Sequence, residues 1–236
     1  VDGLHLTLLQ RHYAHDYWAL EAKSFSVSSD IRGEQGVYLG AEWQPHRKLQ
    51  VTAYADAYHF PYLRYRVSTP SYGTDGQLMA RYSISNNHSL MLRYRYRLKQ
   101  RDVAEGYRLP HGGLLNEWTH RFHAEWDGTL SPTLSLRALL EGTLVTAEKR
   151  STGYMGSIQA TYTPVWQGHT LRLSAGITAF DADYAARLYS YERGLLYAYN
   201  YQMYHGRGVR GYVLMQYSHK DTPRLAFTAK LGTTCY

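Results

Sequence analysis

Residues 88–99 read H-S-L-M-L-R-Y-R-Y-R-L-K, in which two kinds of side chain alternate. Arg93, Arg95 and Arg97 occupy one set of alternate positions, whereas mainly leucine and tyrosine side chains occupy the other. A period of two is the signature of a β-strand, because successive side chains point to opposite faces. A strand of about ten residues is long enough to cross a bilayer at a tilt. The stretch therefore predicts a transmembrane strand with its arginine row in a barrel lumen and its apolar row in lipid.

The composition argues against a nucleic-acid-binding protein, a helical membrane protein and a disulfide-rich domain. The chain of 236 residues carries 26 Lys and Arg against 19 Asp and Glu, a formal net charge of +7. The arginines are spread over alternate strand positions instead of a basic tail or helix face, so we predict no nucleic-acid partner. No apolar run reaches the roughly 18 residues that indicate a membrane helix. The single cysteine, Cys235, excludes an internal disulfide framework.

The links between the predicted strands alternate between short and long. Short turns centre near residues 46, 86, 129, 167 and 221, and longer, more variable connections lie between them. This alternation is typical of outer-membrane barrels, which have tight periplasmic turns and larger extracellular loops. We therefore predict an all-β fold, an antiparallel transmembrane β-barrel of at least 12 strands, as one domain over residues 1–236. The predicted strands cover residues 3–12, 36–44, 48–59, 74–85, 88–99, 114–126, 133–146, 154–164, 170–180, 194–204, 209–218 and 224–236.

We predict that the barrel lies in the bacterial outer membrane, where it contacts lipid. Its short turns and long loops are expected on opposite sides of this membrane. The turns at 45–47, 86–87 and 127–131 are expected in the periplasm, and the loops around 68, 105 and 185 outside the cell. The alternative is a soluble β-sandwich or lipocalin-like barrel, because alternation alone does not identify the buried face. Strand length, link asymmetry and rim aromatics favour the membrane barrel. The aromatic girdle predicted beside the short turns comprises Trp43, Trp126, Trp166 and Tyr217.

Charged side chains at alternate strand positions form a predicted lumenal network. One interpretation is an electrostatic lining that attracts anions or docks an acidic partner. The other is a mutually paired network that fills and rigidifies a narrow lumen. We expect Glu125 and Glu141 to be the acidic neighbours of the arginine row, because their strands follow it directly. The predicted network comprises Arg81, Arg93, Arg95, Arg97, Arg121, Arg137, Arg172, Arg210, Lys230, Glu42, Asp56, Glu125 and Glu141.

The sequence indicates no catalytic centre, metal site or cofactor. His120 and His123 lie on opposite faces of their strand, and the 12 histidines show no compact ligand spacing. No G-x-S-x-G motif of a serine hydrolase occurs. Asp181, Asp183 and Glu192 are interpreted as solvated loop acids. We therefore predict no catalytic residue, although a site at the barrel rim would depend on geometry that the sequence does not contain.

Residues 189–210 read Y-S-Y-E-R-G-L-L-Y-A-Y-N-Y-Q-M-Y-H-G-R-G-V-R, and residues 5–13 read H-L-T-L-L-Q-R-H-Y. Two further stretches carry the same resemblance. They are residues 36–45, G-V-Y-L-G-A-E-W-Q-P, and residues 49–67, L-Q-V-T-A-Y-A-D-A-Y-H-F-P-Y-L-R-Y-R-V. These stretches resemble the barrel portion of a family of Bacteroidota outer-membrane proteins, many of which carry a helix-hairpin-helix region before the barrel. The resemblance implies location in the outer membrane of a Gram-negative bacterium. It also implies further strands outside residues 1–236, and no settled activity.

Three functions follow as hypotheses. The first is a non-catalytic barrel that acts as a scaffold or subunit of an outer-membrane assembly, with other outer-membrane proteins as partners. The second is a channel or transporter for anionic solutes, based on the excess of arginine. The third is an outer-membrane hydrolase with its active site at the barrel rim.

Overall fold

The computed structural model describes residues 3–18, 24–28, 31–103, 113–166, 168–195, 198–219 and 226–236. The chain is almost entirely antiparallel β-structure, with 75% of its residues in strands. One short helical segment is described, a 3-10 turn at Tyr184–Ala186. Among the described residues, no helix is long and apolar enough to cross a membrane.

In the part of the chain that the structure describes, fourteen strands make up two sheets. The main sheet follows chain order through eleven strands, β1 to β8, then β10, β13 and β14, and the two-residue β9 pairs with β10 beside this path. A separate two-stranded sheet consists of β11 and β12. The strands are β1 (Leu4–His12), β2 (Gln35–His46), β3 (Leu49–Phe60), β4 (Ser71–Ser85), β5 (His88–Asp102), β6 (Leu114–Ser131), β7 (Leu134–Thr146), β8 (Arg150–Tyr162), β9 (Val165–Trp166), β10 (His169–Ala182), β11 (Leu188–Tyr191), β12 (Tyr201–Tyr204), β13 (Gly206–His219) and β14 (Ala226–Cys235).

The predicted all-β antiparallel fold is confirmed, and most predicted strands are present with longer bounds. The turn predicted at 127–131 is wrong, because β6 continues to Ser131, whose hydroxyl accepts backbone N–H bonds from Thr133 and Leu134. The strand predicted at 194–204 is also wrong as a member of the main sheet. Among the described residues of this range, only Tyr201–Tyr204 form a strand, which pairs with β11 in the small sheet. The excursion of residues 183–205 therefore lies between two strands, β10 and β13, that pair directly with each other.

The main sheet has two chemically different faces. In the register of β8, β10, β13 and β14, Ile158 pairs with Ile177, and Val213 pairs with Leu231, which places these exposed apolar side chains on one face. The opposite face buries polar residues, for example Thr178 opposite Ser157. We call these the apolar face and the polar face. Each strand alternates between them, as the period of two in the sequence predicts.

The chain forms two compact units. Unit 1 comprises Val1–Ala80, Arg93–His120 and Val145–Arg150, and unit 2 comprises Arg81–Leu92, Arg121–Leu144 and Ser151–Tyr236. In unit 1, the Tyr58 and Phe60 rings pack edge to face with centroids 5.7 Å apart, and the Arg64 guanidinium lies 3.4 Å from the Phe60 ring centroid. The single domain predicted for residues 1–236 stays a prediction.

In unit 2, the β11–β12 hairpin packs on the polar face of the main sheet. Tyr204 of β12 is buried against Phe180 of β10, with ring centroids 5.0 Å apart. The side chain of Gln159 on β8 donates a hydrogen bond to the carbonyl oxygen of Tyr191 at 3.3 Å. This hairpin therefore fills part of the polar face instead of extending away from it. The apolar cluster that results comprises Leu139, Met155, Phe180, Ala182, Leu188 and Tyr204.

Candidate functional site on the polar face

The most enclosed ionic group of unit 2 is the carboxylate of Glu192, which directly follows β11. Its side chain is 1% exposed and accepts bonds from Arg210 Nε at 2.7 Å, Lys230 Nζ at 2.9 Å and the Tyr204 hydroxyl at 2.9 Å. Burial raises the pKa of Glu192, but the hydrogen bonds from Arg210, Lys230 and Tyr204 outweigh it and hold the pKa below its ordinary value. Burial also raises the pKa of the Tyr204 phenol, which keeps its donor proton. The interpretation of Glu192 as a solvated loop acid is therefore wrong.

A second group in unit 2 is centred on Arg137 of β7. Arg137 Nε donates to Asp127 Oδ1 at 2.9 Å, and its Nη2 lies 3.3 Å from Glu125 Oε1. His123 lies 3.8 Å from Glu125 and 4.0 Å from Glu141. Two of the predicted lumenal acids, Glu125 and Glu141, thus gather around Arg137 and His123.

In unit 1, Arg11 of β1 joins two buried carboxylates. Its guanidinium fork donates to both oxygens of Asp56, at 2.7 and 3.0 Å, and its Nε donates to Glu34. Glu34 is fully buried and also accepts bonds from the hydroxyl of Ser26 and the backbone N–H of Val27. These bonds tie residues 24–28 of the connection after β1 to the polar face.

A second ionic group in unit 1 contains one arginine of the row on β5, Arg95. Arg95 donates to both oxygens of Asp75 on β4, and the Tyr54 hydroxyl donates to the same carboxylate at 3.0 Å. The expectation that Glu125 and Glu141 neighbour Arg95 is therefore wrong. Asp75 lies six residues before Arg81 on β4, and the two side chains therefore point to the same face. The sequence predicted that this strand begins at residue 74, so Asp75 stood at its very end and was not assigned to the charged network.

Arg93 and Arg97, on the same face of β5 as Arg95, differ from it in their charge balance. In the part of unit 1 that the structure describes, no carboxylate lies within 4.0 Å of either guanidinium. Among the described residues, the arginine row of β5 thus holds one ion-paired guanidinium, that of Arg95, and two guanidinium groups with no carboxylate within 4.0 Å. Of the other predicted members, Lys230 and Arg210 bind Glu192, Arg81 Nη2 contacts the sulfur of Met91 at 3.9 Å, and Glu42, Arg121 and Arg172 are exposed.

The predicted girdle residues whose side chains are described lie on the apolar face, beside short links. Trp43 is exposed near the end of β2. The ring of Trp126 stacks on His88, with centroids 5.7 Å apart, and Tyr217 shares a 2.8 Å hydrogen bond with His169. The side chain of Trp166 lies outside the described ones, as does the predicted loop position 105. Two of these rings, those of Trp126 and Tyr217, are thus paired with a histidine.

A cavity of about 340 Å³ lies on the polar face of unit 2, near the turn between β4 and β5. Its lining is mostly hydroxyl and amide groups, with three charged side chains, Asp127, Arg137 and Arg193. Among the described residues, no group of three or more His, Cys, Asp and Glu side chains is arranged to hold a metal ion.

Three important residues escaped prediction from the sequence: Glu34, Asp75 and Glu192. Glu34 and Glu192 lie just outside strands, where strand alternation gives no signal, and the partners of Glu192 are up to 38 residues away. No model of a known protein family matches the chain, and no curated protein is similar enough to match it. The resemblance to the Bacteroidota family therefore stays a prediction.

Proposed function

We propose that the chain forms the wall of a transmembrane β-barrel in a bacterial outer membrane and acts there as a non-catalytic scaffold or subunit. The observation that carries this proposal is the apolar face. Leu6, Leu140 and Leu231 expose 68%, 66% and 79% of their surface from ordered strands. A soluble monomer rarely exposes a contiguous apolar surface larger than a few hundred Å². A lipid environment would bury these side chains.

The polar face and the rim aromatics support the same proposal. The charges of Arg11, Arg95 and Glu192 on the polar face are held in ion-paired groups, as expected where water is scarce. The pairs His88–Trp126 and His169–Tyr217 have the amphipathic character that suits a membrane–water interface. These aromatics stand at the ends of strands, where the interface of a spanning barrel would lie.

The paired groups favour the scaffold over a channel. Glu192, Arg11 and Arg95 are neutralised by neighbouring side chains, and the paired strands β11 and β12 cover part of the polar face. One observation favours the second candidate, a channel for anionic solutes: Arg93 and Arg97 have no carboxylate within 4.0 Å in the described part of unit 1. Uncompensated cations along a pore would attract anions. The rim-sited hydrolase stays a prediction.

The membrane location can be tested with one substitution at two matched positions. Leu140 in the middle of β7 and Leu63 in the connection after β3 are 66% and 67% exposed. In a soluble protein, Leu140→Arg and Leu63→Arg should both change stability by no more than about 0.5 kcal/mol. In a barrel, arginine on the lipid face near the midplane costs roughly 2–4 kcal/mol, and the cost falls towards zero outside the membrane.

We therefore expect Leu140→Arg, but not Leu63→Arg, to impair folding into phospholipid vesicles, measured by protease protection and heat-modifiable gel mobility. Equal folding of both variants and the unmodified chain would contradict the membrane proposal. Planar-bilayer recordings on the folded protein separate the two functions. Absence of conductance supports the scaffold. Anion-selective conductance that falls in Arg93→Gln supports the channel.

A further inference from the structure

The cavity in unit 2 has the size and lining of a site for a small polar molecule. Its volume of about 340 Å³ is at the lower end of the range of ligand pockets, roughly 300–1,000 Å³. Hydroxyl and amide groups, which can donate and accept hydrogen bonds, come from five strands and one turn. They include Ser83, Ser85, Asn86, Ser135, Gln159 and Thr161.

The cavity lining contains two arginines, of which one is ion-paired with acidic side chains of the protein. Arg137 is neutralised within the protein, because it binds Asp127 at 2.9 Å and Glu125 at 3.3 Å. Arg193 is exposed in the cavity, and no carboxylate among the described residues lies within 4.0 Å of its guanidinium. One guanidinium fork is therefore available for an oxyanion, the group whose geometry it matches.

The backbone that leads into Arg193 is held in place at the two preceding residues. Glu192 is fixed by Arg210, Lys230 and Tyr204, and its N–H donates to the carbonyl oxygen of Asn200 at 3.0 Å. The carbonyl oxygen of Tyr191 accepts the bond from Gln159, itself a lining residue. Such preorganisation lowers the entropy that a ligand must overcome, because the main chain at the cationic residue is already ordered.

We propose that this cavity binds a hydroxylated solute of about hexose size that carries one phosphate or carboxylate group. The oxyanion binds the guanidinium of Arg193, and the hydroxyls of the solute bind the serine, threonine and amide side chains. The site goes beyond the proposed scaffold role and does not depend on it, since every lining residue belongs to unit 2.

The test is isothermal titration calorimetry on the full chain refolded in detergent micelles. Glucose 6-phosphate, glucuronate and glucose are the probes, so that the three titrations share one hydroxylated ring. We expect at least one anion to bind about tenfold or more tightly than glucose, as one charge-assisted hydrogen bond provides. Tighter binding of the phosphate identifies sugar phosphates as the ligand class, and tighter binding of glucuronate identifies sugar acids.

Two variants and a control locate the anion. Arg193→Gln should weaken binding of the preferred anion about tenfold or more, and Arg193→Lys should weaken it less, because lysine keeps the charge but loses the fork. Arg187→Gln changes an exposed arginine of the same excursion that donates hydrogen bonds to Tyr184 and Tyr189 outside the cavity, and this variant should bind the anion like the unmodified chain.

Three results would each overturn the site: no binding of either anion, glucose binding as tightly as the anions, or unchanged affinity in Arg193→Gln. The membrane proposal fails or stands separately, because the vesicle-folding comparison of Leu140→Arg with Leu63→Arg involves no ligand. Arg193 makes no ion pair in the described structure, so Arg193→Gln should unfold in urea like the unmodified chain.

Discussion

Removal of the Glu192 carboxylate tests whether the hairpin is anchored by an enclosed ionic group. Glu192→Ala leaves Arg210 and Lys230, whose side chains are only 18% and 14% exposed, close together without an anion. It also removes the acceptor of the buried Tyr204 hydroxyl. Removal of one partner of a fully buried ion pair costs roughly 3–5 kcal/mol. Because both cations keep some contact with water, we expect a loss of roughly 2–4 kcal/mol in the free energy of unfolding.

The matched control is an exposed ion pair in the same unit. Asp181 lies 3.9 Å from Arg207, and their side chains are 70% and 88% exposed. Asp181→Ala should change the free energy of unfolding by less than about 1 kcal/mol, since exposed pairs contribute little. Urea titration of both variants in detergent micelles, followed by tryptophan fluorescence, measures the two changes. A Glu192→Ala loss no larger than that of Asp181→Ala would refute the anchoring role.

The pH dependence of the same variant provides an independent readout. The pKa of Glu192 in the folded protein is below its ordinary value, so its carboxylate stabilises the fold at neutral pH. This contribution should be complete above the ordinary pKa of 4.5 and lost as the pH falls through the lower folded pKa. Glu192→Gln keeps the size of the side chain but not its charge. The stability gap between Glu192→Gln and the unmodified chain should therefore be constant at neutral pH and narrow in acid.

Two further substitutions test close packing and charge balance on the polar face. A Cβ at Gly176 would lie 2.4 Å from the ring of Tyr212, so Gly176→Ala should destabilise the fold by roughly 1–3 kcal/mol in urea titration. A Cβ at Gly142 would lie 3.7 Å from its nearest neighbour, so Gly142→Ala should change the free energy of unfolding little. Equal effects of the two substitutions would contradict the packing. Arg95→Gln removes the cation that neutralises a buried carboxylate on β4 and should cost roughly 1–3 kcal/mol. Arg93→Gln, which breaks no ion pair in the described structure, should cost less than half as much; the reverse order would show that the pairing is wrongly placed.

The strands could be predicted from the sequence because their signal is local. In β5, the face of each residue follows from the period of two alone, which correctly puts Arg93, Arg95 and Arg97 on one side. The partner of Arg95 could not be predicted in this way. It depends on the stagger between β4 and β5, which brings Asp75 within hydrogen-bond distance.

The excursion after β10 was mispredicted for a related reason. Residues 194–204 contain alternating tyrosines that are typical of a strand, and the propensity of the segment favours that structure. Its position is decided instead by contacts with β13 and β14, which supply Arg210 and Lys230 to Glu192. Interactions between such distant parts of the chain override local preference, and no short window of sequence contains them.

The register of β10 and β13 makes residues 183–205 a modular insertion. Ala182 and Gly206 are the last matched pair of the ladder, so the chain leaves the sheet and returns to it at adjacent points. Gly206 has a positive φ of 75°, a conformation that lets the returning chain turn sharply into β13. A tight hairpin turn could therefore join β10 to β13 without any change of register. The ladder could therefore accept a different insert at this point, provided that the insert replaced the carboxylate that Glu192 supplies to Arg210 and Lys230.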